Sequence, residues 1–249
     1  NKLLKANFEL DNFVYRASHD LRAPLSSILG LINLGTVQPN ISINELLKLI
    51  KLIKVNVKRL DSIIHDLTDF SRNERTEIEI MEINFDQIIR SNYEKTGLYP
   101  EAIHVNLSTE ITCDFPVYSD PERLSILFNN LISNSIKFHN PVINDPYVKI
   151  TVNASETEIY LEIKDNGIGI QKAYLNKIFD MFFRATEVSK GSGLGLYIVK
   201  NVVSKLEGKI MVHSDHGLGT TVNITLPNYY RSLMSSVKKD HFSEDRSVN

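Results

Sequence analysis

The chain has 249 residues, a formal net charge of −2 at pH 7, 42% hydrophobic residues and 23% charged residues. These are globular values without a basic field, so nucleic acid is not an expected partner. The one cysteine, Cys113, cannot close an intrachain disulfide, no zinc-ligand spacing exists, and neither a bilayer-length apolar run nor a signal peptide is found.

Residues 1 to about 34 read as one long helix stopped by Gly35, before a loop containing Pro39. At about 100° per residue, Leu10, Val14, Ala17, Leu21, Leu25, Ile28 and Ile32 gather in one apolar stripe. His19 lies roughly 140° from the stripe centre, which makes it solvent-facing. Asp20 is its neighbour, and Ala23 follows one turn later on nearly the same face. Pro24 inside the helical pattern predicts a bend and a freed carbonyl at Asp20. A second helix starts at a capping box, Ser42 with Glu45. Its Leu46, Ile50, Ile53, Val57, Leu60, Ile64 and Leu67 form a heptad seam that one hairpin cannot enclose. Two hairpins can, as a dimeric four-helix bundle.

After a polar junction at 73–82 the pattern becomes mixed α/β. A short strand is predicted at Ile78–Ile83, a helix at Phe85–Glu94, a strand near Ile103–Leu107 and an extended piece at Phe115–Tyr118. Asp120-Pro121 opens the next helix as N-cap and first-turn proline. Tyr147–Val152 and Ile159–Lys164 alternate with period two and should pair. A last helix runs from about Leu196 to Leu206, and Lys209–His213 with Thr221–Leu226 closes the sheet. The end, Asn228 to Asn249, is polar and aperiodic, and is expected to fray.

Asn130, Asn134 and Lys137 form a polar line on the helix after Asp120, where asparagine is unfavourable by propensity. An amide oxygen suits Mg²⁺, which keeps waters and phosphate oxygens as its other ligands; a solvated face reads equally well on this helix alone. Asp165-Asn166-Gly167-Ile168-Gly169 follows a strand directly. Its carboxylate can accept an adenine amine and its glycines admit close backbone approach, although Asp-Asn-Gly is also a hairpin signal. Gly191, Gly193 and Gly195 precede Leu196 and a helix, offering free N–H groups to phosphates. The spacing is neither the dinucleotide fingerprint nor a Walker loop.

Taken in order, these segments closely resemble the sensor histidine kinases of two-component signalling, over residues from about 8 to 227. His19 with Asp20 matches the phosphoacceptor box, Asn130 and Asn134 the N box, and Asp165 to Gly169 the first glycine box. Phe179 to Phe183, including Phe182, matches the F box, Gly191 to Gly195 the second glycine box, and Gly217 to Thr221 the closing glycine-threonine element. The resemblance implies a dimerisation and phosphotransfer hairpin over 1–75, an α/β-sandwich ATP domain of the gyrase and chaperone type over 76–228, and a polar tail. It implies autophosphorylation of His19 from ATP and transfer to an aspartate on a response regulator receiver domain.

The site residues it implies are His19 and Asp20 for catalysis, and Asn130, Asn134, Lys137, Asp165, Gly167, Gly169, Phe182, Gly191, Gly193, Gly195, Leu196 and Thr221 for ATP. Asn134 would hold Mg²⁺. Ala23 stands where many bifunctional members carry a polar residue that orients water, which implies weak phosphatase activity toward the regulator. The other histidines, His65 among them, have no comparable sequence context. A superfamily ATPase and a degenerate dimeric scaffold are the rival readings; the first does not account for His19 beside Asp20 and Pro24, and the intact nucleotide motifs speak against the second. Because the chain opens inside a helical pattern, a cytoplasmic catalytic portion of a longer protein with an upstream sensor is expected. On this reading the full chain is a homodimer held by residues 1–72. Light scattering on a fragment starting near Thr76 should then report a monomer; a dimeric fragment would move the interface into the ATP domain.

Overall fold

The computed structural model describes residues 2–38, 41–96, 105–185 and 192–234, with side chains from Val14 onward. Pro39, Ile103, Gly191, the side chain of Leu10 and everything after residue 234 lie outside the described residues. The chain forms two compact units. One holds residues 1–72 together with Asp180–Leu194, and the other holds Asn73–Phe179 and the residues from Gly195 on. The sequence-based boundary at 75/76 therefore falls three residues later, and the segment Asp180–Leu194 groups with the helices.

In the helical unit, α1 (Lys2–Val37) and α2 (Ile43–Arg75) make a hairpin. Gly35 does not end α1. A glycine inside a helix costs only about 1 kcal/mol, and here a Cβ at Gly35 would come within 3.3 Å of Leu49 Cδ1, so the residue serves helix approach. Pro24 is buried inside the continuous helix. The capping box of α2 is closed in both directions: Ser42 N–H donates to Glu45 Oε2 (2.9 Å), and Glu45 N–H donates to Ser42 Oγ (3.3 Å). The Ser42 hydroxyl, which donates to Glu45 Oε2 at 2.7 Å, and then the Ser42 N–H hold the Glu45 carboxyl below its ordinary pKa. Ile63 is fully buried, whereas Ile50, Val57 and Ile64 of the heptad seam remain about half exposed within the chain.

The second unit is a five-stranded sheet in the order β2-β4-β5-β7-β6, from β2 (Asn106–Cys113), β4 (Tyr147–Ala154), β5 (Glu158–Asp165), β6 (Lys209–Asp215) and β7 (Gly219–Pro227). Only β2 and β4 are parallel; the other pairs are antiparallel. A two-stranded ribbon joins β1 (Met81–Glu82) to β3 (Tyr118–Ser119). Helices α3 (Phe85–Thr96), α4 (Pro121–Lys137) and α5 (Gly195–Lys205) make the second layer. Period-two alternation puts Ile150, Leu161 and Ile224 on the inner face, all fully buried, against α4 residues such as Leu127 and Ile132. Phe85 meets Phe128 edge-to-face at 6.3 Å. No helix among the described residues is long and apolar enough to cross a membrane.

Three expectations are corrected. The predicted strand at Ile78–Ile83 shrinks to Met81–Glu82. Of the strand expected near Ile103–Leu107, residues 103 and 104 lie outside the described residues, and the described strand starts at Asn106 and runs on to Cys113; as an edge strand with mostly exposed side chains it lacks the apolar alternation that marks buried strands. The end after Pro227 is not frayed at its start. Asn228 is buried; its Oδ1 accepts the N–H groups of Tyr118 (3.0 Å) and Tyr230 (3.2 Å), and its Nδ2 donates to the carbonyls of Pro116 (3.1 Å) and Ser155 (2.8 Å). Tyr230 stacks beside Tyr118 at 6.3 Å. Asn228→Ala leaves several buried backbone groups unpaired and should cost about 2–4 kcal/mol. Denaturant unfolding checks this; a change within 0.5 kcal/mol, the range of about that size typical of ordinary surface sites, would make the clasp incidental.

Candidate functional site

Helix α4 starts at Asp120, whose backbone is extended (φ −91°, ψ 110°) and whose Oδ1 accepts the Arg123 N–H at 2.9 Å. Its inner face belongs to the core, and its other side carries the polar line. Asn130 is buried, with Nδ2 donating to the Ile126 carbonyl at 2.9 Å. That bond leaves the amide oxygen turned toward Gly195, the first residue of α5. A Cβ there would lie 2.9 Å from Asn130 Oδ1 and 3.8 Å from Asn134 Oδ1. The first turn of α5 therefore begins beside two amide side chains, a setting suited to phosphate oxygens. Leu196 is the second residue of α5, half-buried, and Lys137 is half-buried at the end of α4.

At the end of β5, Asp165 is turned inward. Its Oδ1 accepts the N–H groups of Gly167 (2.9 Å) and Thr220 (3.1 Å), and its Oδ2 accepts the Ser135 hydroxyl at 3.1 Å. Burial nevertheless pushes its pKa up, against the lowering effect of the Gly167, Ser135 and Thr220 bonds. Oδ2 retains acceptor capacity for an external amine. The following loop packs tightly. A Cβ at Gly167 would sit 2.5 Å from the Phe138 carbonyl oxygen, and Gly169, at φ 64°, turns its Cα toward the backbone of Asp215. Asn166 is a brace, accepting the Tyr147 N–H at 2.8 Å and donating to the Asp145 carbonyl at 3.0 Å.

In the helical unit His19 is exposed. Its Nδ1 lies 3.2 Å from Asp20 Oδ1, with side-chain exposures of 70% and 20%. With Nδ1 protonated toward the carboxylate, Nε2 is left free as a nucleophile. Phe182 is buried with φ 61°, and Gly193, at φ 76°, lies against the Phe182 and Phe183 backbone. Ser192 donates its hydroxyl to the Asp66 carboxylate and accepts the Leu194 N–H at 3.1 Å.

Within the sheet unit, the structure gathers Asn130, Asn134 and Gly195 at one end of α5, and Asp165 with Gly167. Thr221 is not part of the Asp165 cluster: the pleat turns it to the other face, in register with Lys164, and Thr220 supplies the contact. Ser135 and Thr220 are missed in the sequence. Only their places, next to Asn134 and within the closing Gly-Thr element, point to them. His65 is solvated on α2, with its Nδ1 3.1 Å from Asp69 Oδ2 one turn on.

Two family models match the chain. "His Kinase A (phospho-acceptor) domain" covers residues 9–76, and "Histidine kinase-, DNA gyrase B-, and HSP90-like ATPase" covers residues 119–229. The chain belongs to the sensor histidine kinases. It is 30% identical over 232 residues to the autoinducer 2 sensor kinase/phosphatase LuxQ of Vibrio harveyi, covering 87% of this chain and 26% of that protein. It is 31% identical over 242 residues to cyanobacterial phytochrome B of Nostoc, covering 90% and 30%. This histidine kinase core thus spans about a quarter to a third of these relatives' length. Among solved structures, the Acinetobacter baumannii histidine kinase AdeS matches with a TM-score of 0.64 at 20% identity, covering 84% of this chain and 98% of that one. Histidine kinase ThkA, solved in complex with the response regulator protein TrrA, matches at 0.68 and 19% identity, covering 90% and 63%. Both show the fold.

The raised pKa of Asp165 gives a signed expectation. A carboxyl whose folded pKa exceeds its unfolded one favours folding fully below the unfolded pKa and loses that contribution as pH rises through the folded pKa. At neutral pH its buried charge therefore costs stability. Asp165→Asn keeps an acceptor for Gly167 and Thr220 without the charge, so nucleotide-free melting at pH 7 should stay level or rise, and any gain should vanish in acid. ATP affinity should fall about 10–100-fold, the value of one charged hydrogen bond. A variant that binds ATP like the parent would remove Asp165 from the adenine site.

Proposed function

We propose that this chain is the catalytic core of a histidine kinase that phosphorylates His19 from Mg-ATP and passes the phosphoryl group to an aspartate on a response regulator. The observation that carries the reading is the exposed imidazole held by Asp20 through Nδ1, in a chain that also builds an amide-lined helix start and a buried acceptor carboxylate.

In this reading Asp165 accepts the adenine amine, with Ser135 and Thr220 fixing its rotamer. The N–H groups at the start of α5 and Lys137 orient the phosphates. Asn134 would hold Mg²⁺ through its amide oxygen, an appropriate hard ligand. Once bound, the ion supplies charge neutralisation on the phosphate oxygens. Nε2 of His19 attacks the γ-phosphorus, a P–N bond forms, the P–O bond to ADP breaks, and Asp20 stabilises the charge that develops on the ring. Asn130 favours this outcome over hydrolysis, because an amide cannot take a proton from water. The working parts are a phosphotransfer hairpin, 1–75, an ATP domain, 76–228, and a tail, 229–249. The half-exposed seam of α2 supports a homodimer. ATP as phosphoryl donor makes the cytoplasm the working compartment. Ala23 offers no polar atom to position water, so phosphatase activity toward the regulator is weak.

His19→Gln should abolish labelling from γ-labelled ATP while leaving ATP affinity within about twofold, since no nucleotide contact is lost. The parent's label should be acid-labile and alkali-stable. Normal labelling of the variant would reject His19, and His65 is the site to map next because it too carries an orienting carboxylate.

A further inference from the structure

We infer that Arg123 is a positioning residue for phosphotransfer: it locks the joint through which the ATP domain continues into the chain that carries the phosphoacceptor. The inference rests on the kinase reading above. Arg123 stands in the first turn of α4 with 2% of its side chain exposed, and Asp120 beside it is equally buried. Taking a guanidinium out of water costs several kcal/mol, roughly, unless every N–H is satisfied. Here they are. Nε donates to Asn73 Oδ1 (3.1 Å), Nη1 to the Glu77 carbonyl (3.1 Å) and to Asp120, and Nη2 to the carbonyls of Asn73 (3.1 Å) and Thr76 (2.7 Å).

Three of these acceptors are backbone carbonyls at or just after the end of α2. The last carbonyls of a helix have no partner within it, and they form the negative end of its dipole. Arg123 therefore caps the final turn of α2, Asn73–Arg75, from another helix. Lys205, in the last turn of α5, donates to the Glu74 carbonyl of the same turn at 3.2 Å. Asp120 Oδ2 accepts the Glu79 N–H at 3.1 Å, so the stretch from Asn73 to Glu79 is fastened at both ends.

Stability alone does not call for this design, since a buried ion pair is often replaced by apolar residues without loss. What the fork of donors adds is one defined exit direction for the chain. His19 lies before α2 in the sequence, so the covalent route from the nucleotide to the nucleophile within one chain passes through this joint. A loose stretch of seven residues would spread the histidine over many positions, whereas a fixed one raises the fraction in attacking geometry.

The test uses the whole chain with Arg123→Lys, which keeps a cation for Asp120 but loses the fork, and Asn73→Ala, which removes only the acceptor of Nε and leaves the Asp120 pair intact. Mg-ATP affinity, the rate of His19 labelling at saturating ATP, and amide exchange at Thr76 to Glu79 are measured for each. Affinity should stay within about twofold while the labelling rate falls about tenfold for the lysine variant and less for the alanine variant, with faster exchange at the joint. Unchanged labelling with faster exchange would overturn the inference, as would affinity and rate falling together in both variants. No label in the parent would overturn the kinase reading, and this inference with it.

Discussion

A carboxylate withdrawn from water at the end of a strand is the constraint around which the sheet unit is arranged. Asp165 is disfavoured as an anion by its surroundings, and it stays in place because donors from three directions converge on it: the Ser135 hydroxyl from α4, the Gly167 N–H from its own loop and the Thr220 N–H from β7. Each donor needs its element in register. Antiparallel pairing of β5 with β7 sets Asp165 opposite Thr220, and the loop after β5 must hug the end of α4, where Ile168 N–H reaches the Phe138 carbonyl at 3.0 Å. Holding one buried carboxylate thus prescribes the register of a strand pair and the end of a helix.

Helix α4 shows how one element serves the core and the site together. Its apolar stripe is fully buried, so the helix cannot rotate without losing that burial, and the polar line is fixed as a consequence. Propensity opposes Asn130 and Asn134 at mid-helix. They persist because Asn130 satisfies its own amine on the Ile126 carbonyl and turns its oxygen outward. The absence of a side chain at Gly195 lets α5 begin against these amides; any Cβ there would meet Asn130.

How much of this is legible in the sequence follows from the range of the interactions. The capping box at Ser42, the Asp-Pro start of α4 and the paired strands β4 and β5 are written in local pattern, and the structure repeats them. Strand β2 is hard to read because an edge strand buries little and shows no alternation. The role of Gly35 is hidden because it depends on Leu49 of the other helix, not on its neighbours. Thr220 and Thr221 cannot be separated by spacing: the pleat decides which faces Asp165, and the pleat is set by long-range pairing. Asn228 and Arg123 read as ordinary polar residues, and only contacts many residues away reveal them as clasps.

The helical unit obeys a different economy. Its phosphoacceptor candidate is exposed and its seam is only partly covered, so little within one chain holds these side chains in place. In the proposed function the nucleophile has to meet two partners in turn, a nucleotide and then a regulator, each needing access to Nε2. Burial would tune the imidazole more strongly but would bar the second encounter. A neighbouring carboxylate solves this differently, since Asp20 acts on Nδ1 and leaves the reactive nitrogen open to solvent. His65 and Asp69 use the same pairing on α2 with a more deeply buried carboxylate. Pair geometry alone therefore does not single out His19. The proposal of His19 rests instead on its place beside Asp20 and Pro24, since the phosphoacceptor family model covers both histidines.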